Sequence, residues 1–456
     1  MTLPTLGWLK TVFGDNANSF EEQPLNICID SRKLSQGDVF WALRGSRDGH
    51  EFVTNALKSG ASAAVVKRSF STGNQALDQK LIHVDEPIDA LAEAARLWRK
   101  EFSGKVLGLT GSVGKTTTKD FASAAVGNAL TVIATEGNFN NEIGVPLTIL
   151  RTPLETELLI CEMGAARVGD IAHLCSIAAP DSGLVTAITD AHTESFGSID
   201  NIMIGKGELY DFVKERDIAF VPLEDEKCVR ASSSCRTRVG YGFSKPTTDW
   251  KSDYVHGERL EFDHDACAGF IVQGERIKLS VPGRPAAQAA LAAMTIALHH
   301  NIPSDQAAKR ISQAVPTSGR ASIRKLKSLT IIDDSYNASP SSMRAALETL
   351  SMRQSGRKVA ILGDMLELGE ISDIAHREVV GELDRAGVTL AVLIGPQFSY
   401  VAGASLLHAQ CRVYQNVDQA LSTLTQLIRP NDLVLVKASR GMALDRVVKK
   451  LEDSFD

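Results

Sequence analysis

Apolar residues along this chain fall into short runs separated by turn residues, and the runs come in three blocks. In the first block, runs at 25–29 and 38–43 are followed by helical spacing over 51–59 and another run at 63–66, which predicts a small α/β domain over residues 1–85. In the second, a helical segment at 88–102 leads into an apolar strand at 105–110 that runs directly into glycine. Further runs at 157–163, 183–189 and 217–221, with helical spacing between them, predict a parallel sheet covered by helices. Shorter alternating strands over 239–281 predict an antiparallel annex or edge. The nearly apolar stretch 286–298 is about half the length of a membrane span and is interrupted by Gln288 and Thr295, so a buried helix is expected. Pro, Ser and Gly at 315–319 then open a third block with strands at 329–333, 358–363, 389–395 and 433–437. Each of these is followed by a helix, which predicts a doubly wound sheet with its ligand at the strands' carboxyl ends. The expected divisions are residues 1–85, 86–315 and 316–456.

Composition narrows the function classes. The chain has 456 residues, 44% of them hydrophobic and 23% charged, which suits a multi-domain globular protein. Its net charge of -6 offers no basic excess for a polyphosphate backbone, so nucleic acid is not expected as a partner and phosphate recognition must be local. Residues 1–10 lack a basic segment followed by an apolar one, so a cytoplasmic location and no membrane span are expected. Seven cysteines without a C-x-x-C pair read as buried free thiols.

The strand at 105–110 enters Gly111-Ser112-Val113-Gly114-Lys115-Thr116-Thr117, with helical sequence following. Strand, glycine-rich turn and helix N-terminus in that order let backbone N–H groups hold phosphate oxygens. Lys115 would reach the β- and γ-phosphates, and the Thr116 hydroxyl would join Mg²⁺. The spacing is shorter than G-x-x-x-x-G-K-[ST], whose first glycine would fall at Leu109. ATP is the expected ligand and the central block a P-loop ATPase. Glu162, at the end of an apolar run, would emerge at the carboxyl edge of a strand near this loop, where a carboxylate can hold Mg²⁺. His192 follows the run at 183–189 at the same edge, where it could ligate a second cation, although spacing alone does not separate it from an ordinary surface or core histidine. Lys206, on the helical stretch 202–213, carries no such signal by spacing alone.

Several stretches together resemble the Mur ligase family, over nearly the whole chain. They are Asp30-Ser31-Arg32, Asp48-Gly49-His50, the phosphate loop, Asn140-Asn141-Glu142-Ile143-Gly144-Val145-Pro146 and Glu162-Met163-Gly164-Ala165. Ala191-His192, Lys206-Gly207-Glu208, Asp333-Asp334-Ser335-Tyr336-Asn337-Ala338 and Gly363-Asp364-Met365-Leu366-Glu367-Leu368-Gly369 complete the set. The resemblance implies a UDP-sugar-binding first domain, a central ATP-binding ligase domain, and a C-terminal Rossmann-like domain that closes on ATP and D-Ala-D-Ala. It implies an ADP-forming amide ligase that acts as a monomer and serves peptidoglycan synthesis and hence cell wall biogenesis, cell shape and cell division. Its acceptor would be UDP-N-acetylmuramoyl-tripeptide.

By the same resemblance, Ser31, Arg32, Asp48, His50, Asn140 and Asn141 face the acceptor. Thr116 and Glu162 ligate one Mg²⁺, and His192 a second. Lys206 becomes a carbamate that also binds metal. Arg320 reaches the γ-phosphate, while Asp334, Tyr336 and Asn337 surround the nucleotide. Two departures stand out: Gly283-Arg284-Pro285-Ala286 replaces a His-Asn pair that relatives carry near adenine, and Ala187 stands where relatives tend to have Asn. The alternatives are a related ligase adding a single amino acid or glutamate, a nucleotide switch, and a silent binder of muramyl peptides. A guanine-reading Asn-Lys-x-Asp segment is absent from the sequence.

Overall fold

The computed structural model describes residues 1–14, 22–191, 193–315, 317–354, 356–402 and 408–456. It contains two compact units: Met1–Gly108 with Leu130–Gly164 and Ile171–Ser182, and Leu109–Ala129 with Ala165–Asp170 and Gly183–Asp456.

In the first unit, β1 (Ile27–Cys28), β2 (Val39–Trp41), β3 (Ala63–Lys67) and β4 (Leu81–Val84) form a parallel sheet in that order. Phe40, Val53, Ala64 and Val66 share its core. The Trp41 indole donates to the Pro87 carbonyl at 2.7 Å, which ties this sheet to the helix Pro87–Glu101. The unit also holds most of β5 (Lys105–Thr110), with β6 (Val132–Ala134) and β7 (Leu158–Glu162), in lateral order β5-β7-β6. All five residues of β7 are buried, as expected for a parallel strand covered on both faces.

In the second unit, β8 (Ser182–Val185), β9 (Ile218–Pro222), β10 (Arg238–Gly242) and β11 (Asp253–His256) lie in that order. The expected antiparallel annex needs correction, because β10 pairs in parallel with β9, and β11 in parallel with β10. β11, at the sheet edge, is exposed or half-buried along its length, and β10 beside it passes from half-buried to buried, so neither carries a pattern that fixes the direction of its neighbour. Only β12 (Glu258–Phe262), β13 (Cys267–Val272) and β14 (Glu275–Pro282) form an antiparallel sheet. The buried helix expected at 286–298 spans Arg284–His299.

The remaining strands are β15 (Ser322–Lys325), β16 (Thr330–Asp334), β17 (Lys358–Gly363), β18 (Leu390–Ile394), β19 (Gln410–Tyr414) and β20 (Leu433–Lys437), in lateral order β15-β16-β20-β17-β18-β19. All pair in parallel except β15. Period-two alternation sends Ala360, Leu362 and Leu435 into one core, and Val359, Ile361, Val434 and Val436 into the other. Burying each such side chain contributes about 1.5–3 kcal/mol. The chain runs outward from β17 to β19 and then returns to place β20 between β16 and β17. A reversal of this kind puts the ligand crevice at the carboxyl ends of these three strands. Edge strands β15, mostly half-buried, and β19, largely exposed, carry no apolar run and were not expected from the pattern.

Candidate active site

β5 delivers the chain into the glycine-rich loop with little freedom. Gly111 has φ of 144°, and a Cβ there would lie 2.1 Å from Thr186 Oγ1, so only glycine fits. Gly114 is left-handed, with φ of 82°, and turns the chain into the helix Lys115–Val126. The Thr186 hydroxyl donates to the Val113 carbonyl at 2.5 Å. The Ser112 hydroxyl donates to the Thr189 carbonyl at 3.1 Å and accepts from the Thr189 N–H at 3.0 Å. The Ser112 N–H donates to the Ala187 carbonyl at 2.8 Å. The loop is therefore laced to residues 186–189, and Ala187 contributes through its backbone. β8 itself stops at Val185 rather than running to 189.

The helix that follows has no side-chain N-cap and no acidic residue in its first turn, an arrangement that favours an anion. Lys115 Nζ donates to the Gly111 carbonyl at 2.7 Å, which folds its charge back over the loop. Thr116 is buried beneath the loop, and Thr117 follows on the same first turn. The missing Cβ at Gly111, the left-handed Gly114 and the anion-favouring helix end together fit a nucleotide polyphosphate.

Glu162, the last residue of β7, is 1% exposed. Its N–H donates to the Thr135 hydroxyl at 2.9 Å, and its Oε1 accepts from Asn140 Nδ2 at 2.8 Å. Asn140 thus acts on the carboxylate, while its own carbonyl accepts from the Gly164 N–H at 2.7 Å. Asn141 Oδ1 accepts from the Gly144 N–H at 2.9 Å and starts the helix Gly144–Leu150. Among the described residues no group of three or more His, Cys, Asp or Glu is placed to hold a metal. Thr116 in one unit offers a hydroxyl and Glu162 in the other a carboxylate, and each is a hard oxygen donor of the kind that Mg²⁺ takes.

Lys206 lies on the helix Ile199–Val213 and is 1% exposed. Its Nζ donates to the Ala165 carbonyl at 3.2 Å and sits 5.3 Å from the centroid of the Phe196 ring. Burial, helped by the Lys115 charge, brings its amine down to about 7, against the opposing pull of Asp170 and Glu208. A substantial fraction is then a neutral, nucleophilic amine at physiological pH. Spacing gave no hint of this burial.

His192 lies outside the described residues. Its neighbours are held by the third block. Ser341 Oγ donates to Thr189 Oγ1 at 2.9 Å, Arg344 Nη2 to Asp190 Oδ2 at 3.4 Å, and the Glu194 N–H to the Glu367 carbonyl at 3.2 Å.

The Arg320 guanidinium stacks on the Tyr336 ring at 4.1 Å from its centroid, and its buried Nε has no hydrogen-bond partner among the described residues. Asp334 pairs with Lys437, directly opposite it on β20, and accepts from the Ala321 N–H at 3.1 Å. Burial raises its carboxyl and Lys437 opposes that rise. Lys437 also donates to the Asn337 carbonyl at 2.9 Å, leaving the Asn337 side chain exposed. Thr186 and Lys437 are site residues that spacing missed, since each acts through a partner far away in sequence.

At the N-terminal sheet, Asp30 caps a short turn that starts at Ser31 and forks onto Arg32 Nε and Nη2, both at 2.8 Å. The Arg32 hydrogen bonds hold the Asp30 carboxyl down at about 2. Asp48 accepts from the N–H and Nδ1 of His50, at 3.0 and 2.7 Å, which keeps its carboxyl below the usual range. His50 Nε2 accepts from the Lys67 N–H at 3.0 Å. Both ring nitrogens of His50 are thus committed, and it braces the loop around Asp48. At the departure from the His-Asn pair, Gln288 Nε2 donates to Glu224 Oε2 at 3.3 Å, and Glu224 Oε1 accepts from the Phe243 and Ser244 N–H groups.

Family models match the chain in series: "Mur ligase family, catalytic domain" over residues 25–99, "Mur ligase middle domain" over 109–297, and "Mur ligase, glutamate ligase domain" over 319–440. UDP-N-acetylmuramoyl-tripeptide–D-alanyl-D-alanine ligase of Bacillus subtilis is 35% identical, covering 98% of this chain and 97% of that one. The Escherichia coli enzyme of the same name is 30% identical over 94% of each. A crystal structure of MurF from Acinetobacter baumannii superposes with a TM-score of 0.87 at 27% identity, covering 99% of this chain and 100% of the other. MurF ligase from Thermotoga maritima, solved with ADP, gives 0.80 at 29% identity over 94% and 97%. With a phosphate loop, an edge carboxylate and a low-pKa buried lysine set in this three-domain α/β fold, and with full-length relatives at this identity, the chain belongs to the Mur ligase family.

Proposed function

We propose that this chain is an ATP-dependent, ADP-forming ligase that joins D-alanyl-D-alanine to UDP-N-acetylmuramoyl-tripeptide in peptidoglycan precursor synthesis. The phosphate loop, laced by Thr186 and Ser112 with Lys115 folded over it, carries this reading for ATP. The full-length relatives carry it for the substrates. Residues 1–85 hold the UDP-sugar end through Ser31, Arg32 and Asp48, with His50 as their brace. Residues 86–315 hold ATP, and residues 316–456 close on ATP and the dipeptide. The enzyme works in the cytoplasm, where ATP is supplied, and as a monomer. Its product feeds the wall that sets cell shape and permits division.

A carboxylate is a poor electrophile at neutral pH. Attack of the acceptor carboxylate on the γ-phosphate of ATP forms an acyl phosphate and releases ADP. The dipeptide amine then attacks the acyl carbon, and phosphate leaves through a tetrahedral intermediate to give the amide. Lys115 and Arg320 neutralise charge on the transferring group. Asp334, Tyr336 and Asn337 line the nucleotide. Chemistry of this kind depends on alignment and on keeping water from the acyl phosphate, so no protein nucleophile is needed. Thr116 and Glu162 would hold Mg²⁺, which supplies positive charge to the phosphates. His192 and Lys206 would hold a second ion. The neutral Lys206 amine adds to CO₂ with loss of a proton, forming an N–C bond and an anionic carbamate.

Phosphate release that requires both UDP-muramyl tripeptide and D-Ala-D-Ala, with a product of the summed mass less water, tests this function. Release with either substrate missing, or a product formed only with a single amino acid or glutamate, would assign the chain to another branch of the family. Glu162→Ala is expected to lower release about a hundredfold or more. The accompanying loss of stability should be about 1–3 kcal/mol, because the Asn140 amide loses its buried partner. Near-normal turnover would remove Glu162 from the metal.

A further inference from the structure

Three parallel strands lying side by side, β16, β20 and β17, each present a residue two or three positions beyond their carboxyl ends: Tyr336, Arg440 and Leu366. Arg440 is exposed, and its side chain makes no hydrogen bond or ion pair among the described residues. Its guanidinium lies 5.5 Å from the centroid of Tyr336, the ring that Arg320 also stacks on. Leu366 is 43% exposed, yet its position is fixed. Its N–H donates to Ser439 Oγ at 2.9 Å, and the Met365 N–H donates to Nε2 of the buried His376 at 3.0 Å. A Cβ on Gly441 would stand 3.0 Å from Leu366 Cδ1, so this leucine lies against the turn that carries Arg440.

A fixed apolar side chain in water beside an unneutralised guanidinium, at the switch point of a doubly wound sheet, describes a site for a small amphiphilic acid. We propose that Arg440 binds the terminal carboxylate of the incoming dipeptide and that Leu366 receives its methyl groups. This rests on the ligase reading above and names the residues that select its second substrate. A phosphate is the poorer occupant, because Leu366 offers it nothing. An extended dipeptide spans roughly 7 Å. With its amine directed to the acyl carbon beside the phosphate held by Arg320, its carboxylate reaches across the Tyr336 ring to Arg440. Arginine suits this role because its planar fork matches a carboxylate with two parallel hydrogen bonds.

Steady-state kinetics with D-Ala-D-Ala and with its C-terminal amide, at saturating ATP and acceptor, test the assignment. The parent enzyme should prefer the acid by about tenfold to a hundredfold in kcat/KM, a range set by one charge-assisted contact. Arg440→Ala should lose that preference through a higher KM for the acid, with the amide and the KM values for ATP and acceptor unchanged. Arg440→Lys should recover part of it. An Arg440→Ala enzyme that keeps the parent's acid-to-amide ratio overturns the proposal, as does a parent ratio near one, which needs no variant to fold. A parent that does not couple D-Ala-D-Ala at all overturns the ligase reading itself. A parent that couples it with a ratio unchanged in Arg440→Ala overturns this inference alone.

Discussion

Lys115→Ala is expected to reduce substrate-dependent phosphate release by about a thousandfold, the largest single loss for any side chain of the loop. In this structure the ammonium rests on the Gly111 carbonyl, a local contact that a bound nucleotide can take over without moving the helix. Little of the fold depends on that contact, so the thermal midpoint should stay within a few degrees of the parent. The loop itself is held by Thr186, Ser112 and the left-handed Gly114, none of which the substitution touches. Measured phosphate release near the parent rate would mean that the γ-phosphate lies elsewhere.

Lys206→Met should separate stability from activity in opposite directions. The amine ionises near 7 in the folded chain and near 10.5 when unfolded. Below pH 7 both states are protonated and the fold carries the whole burden of a buried ammonium. Between pH 7 and 10.5 that burden shrinks as pH rises, because the unfolded chain alone keeps its proton, and above 10.5 it is gone. The shift corresponds to roughly 4–5 kcal/mol. Loss of the Ala165 contact offsets part of this. Methionine should therefore raise the unfolding free energy by about 1–3 kcal/mol at pH 6–7, with the advantage fading toward pH 10. Phosphate release should fall at least a hundredfold over the same range. Denaturant melts at several pH values check the first claim. A variant no more stable than the parent at pH 6 would show that the amine is not held in a desolvated site.

The parts of this site that were legible in the sequence are those whose chemistry is contiguous. Gly111 to Thr117 could be read because strand, turn, lysine and helix follow one another, and Glu162 because a single acid closes an apolar run. Parallel strands buried on both faces were equally plain. Contacts that join distant residues were not. The pairing of Asp334 with Lys437 depends on strand register, and the low amine of Lys206 on what packs around it. His50 shows the converse case: a motif histidine whose two nitrogens are already used inside its own domain. The parallel pairing of β10 and β11 was not legible because strands this short carry no signal for the direction of their neighbours.

The place of β20 between β16 and β17 also bears on how the chain is made. During synthesis β16 and β17 emerge well before the strand that must separate them, and each waits with an open edge. The sheet that carries Arg440, Asp334 and Leu366 can close only when its last strand arrives. A ribosome that stops between residues 363 and 433 therefore releases a chain with the phosphate loop complete and an adhesive, half-built sheet behind it, a natural target for chaperones and proteases.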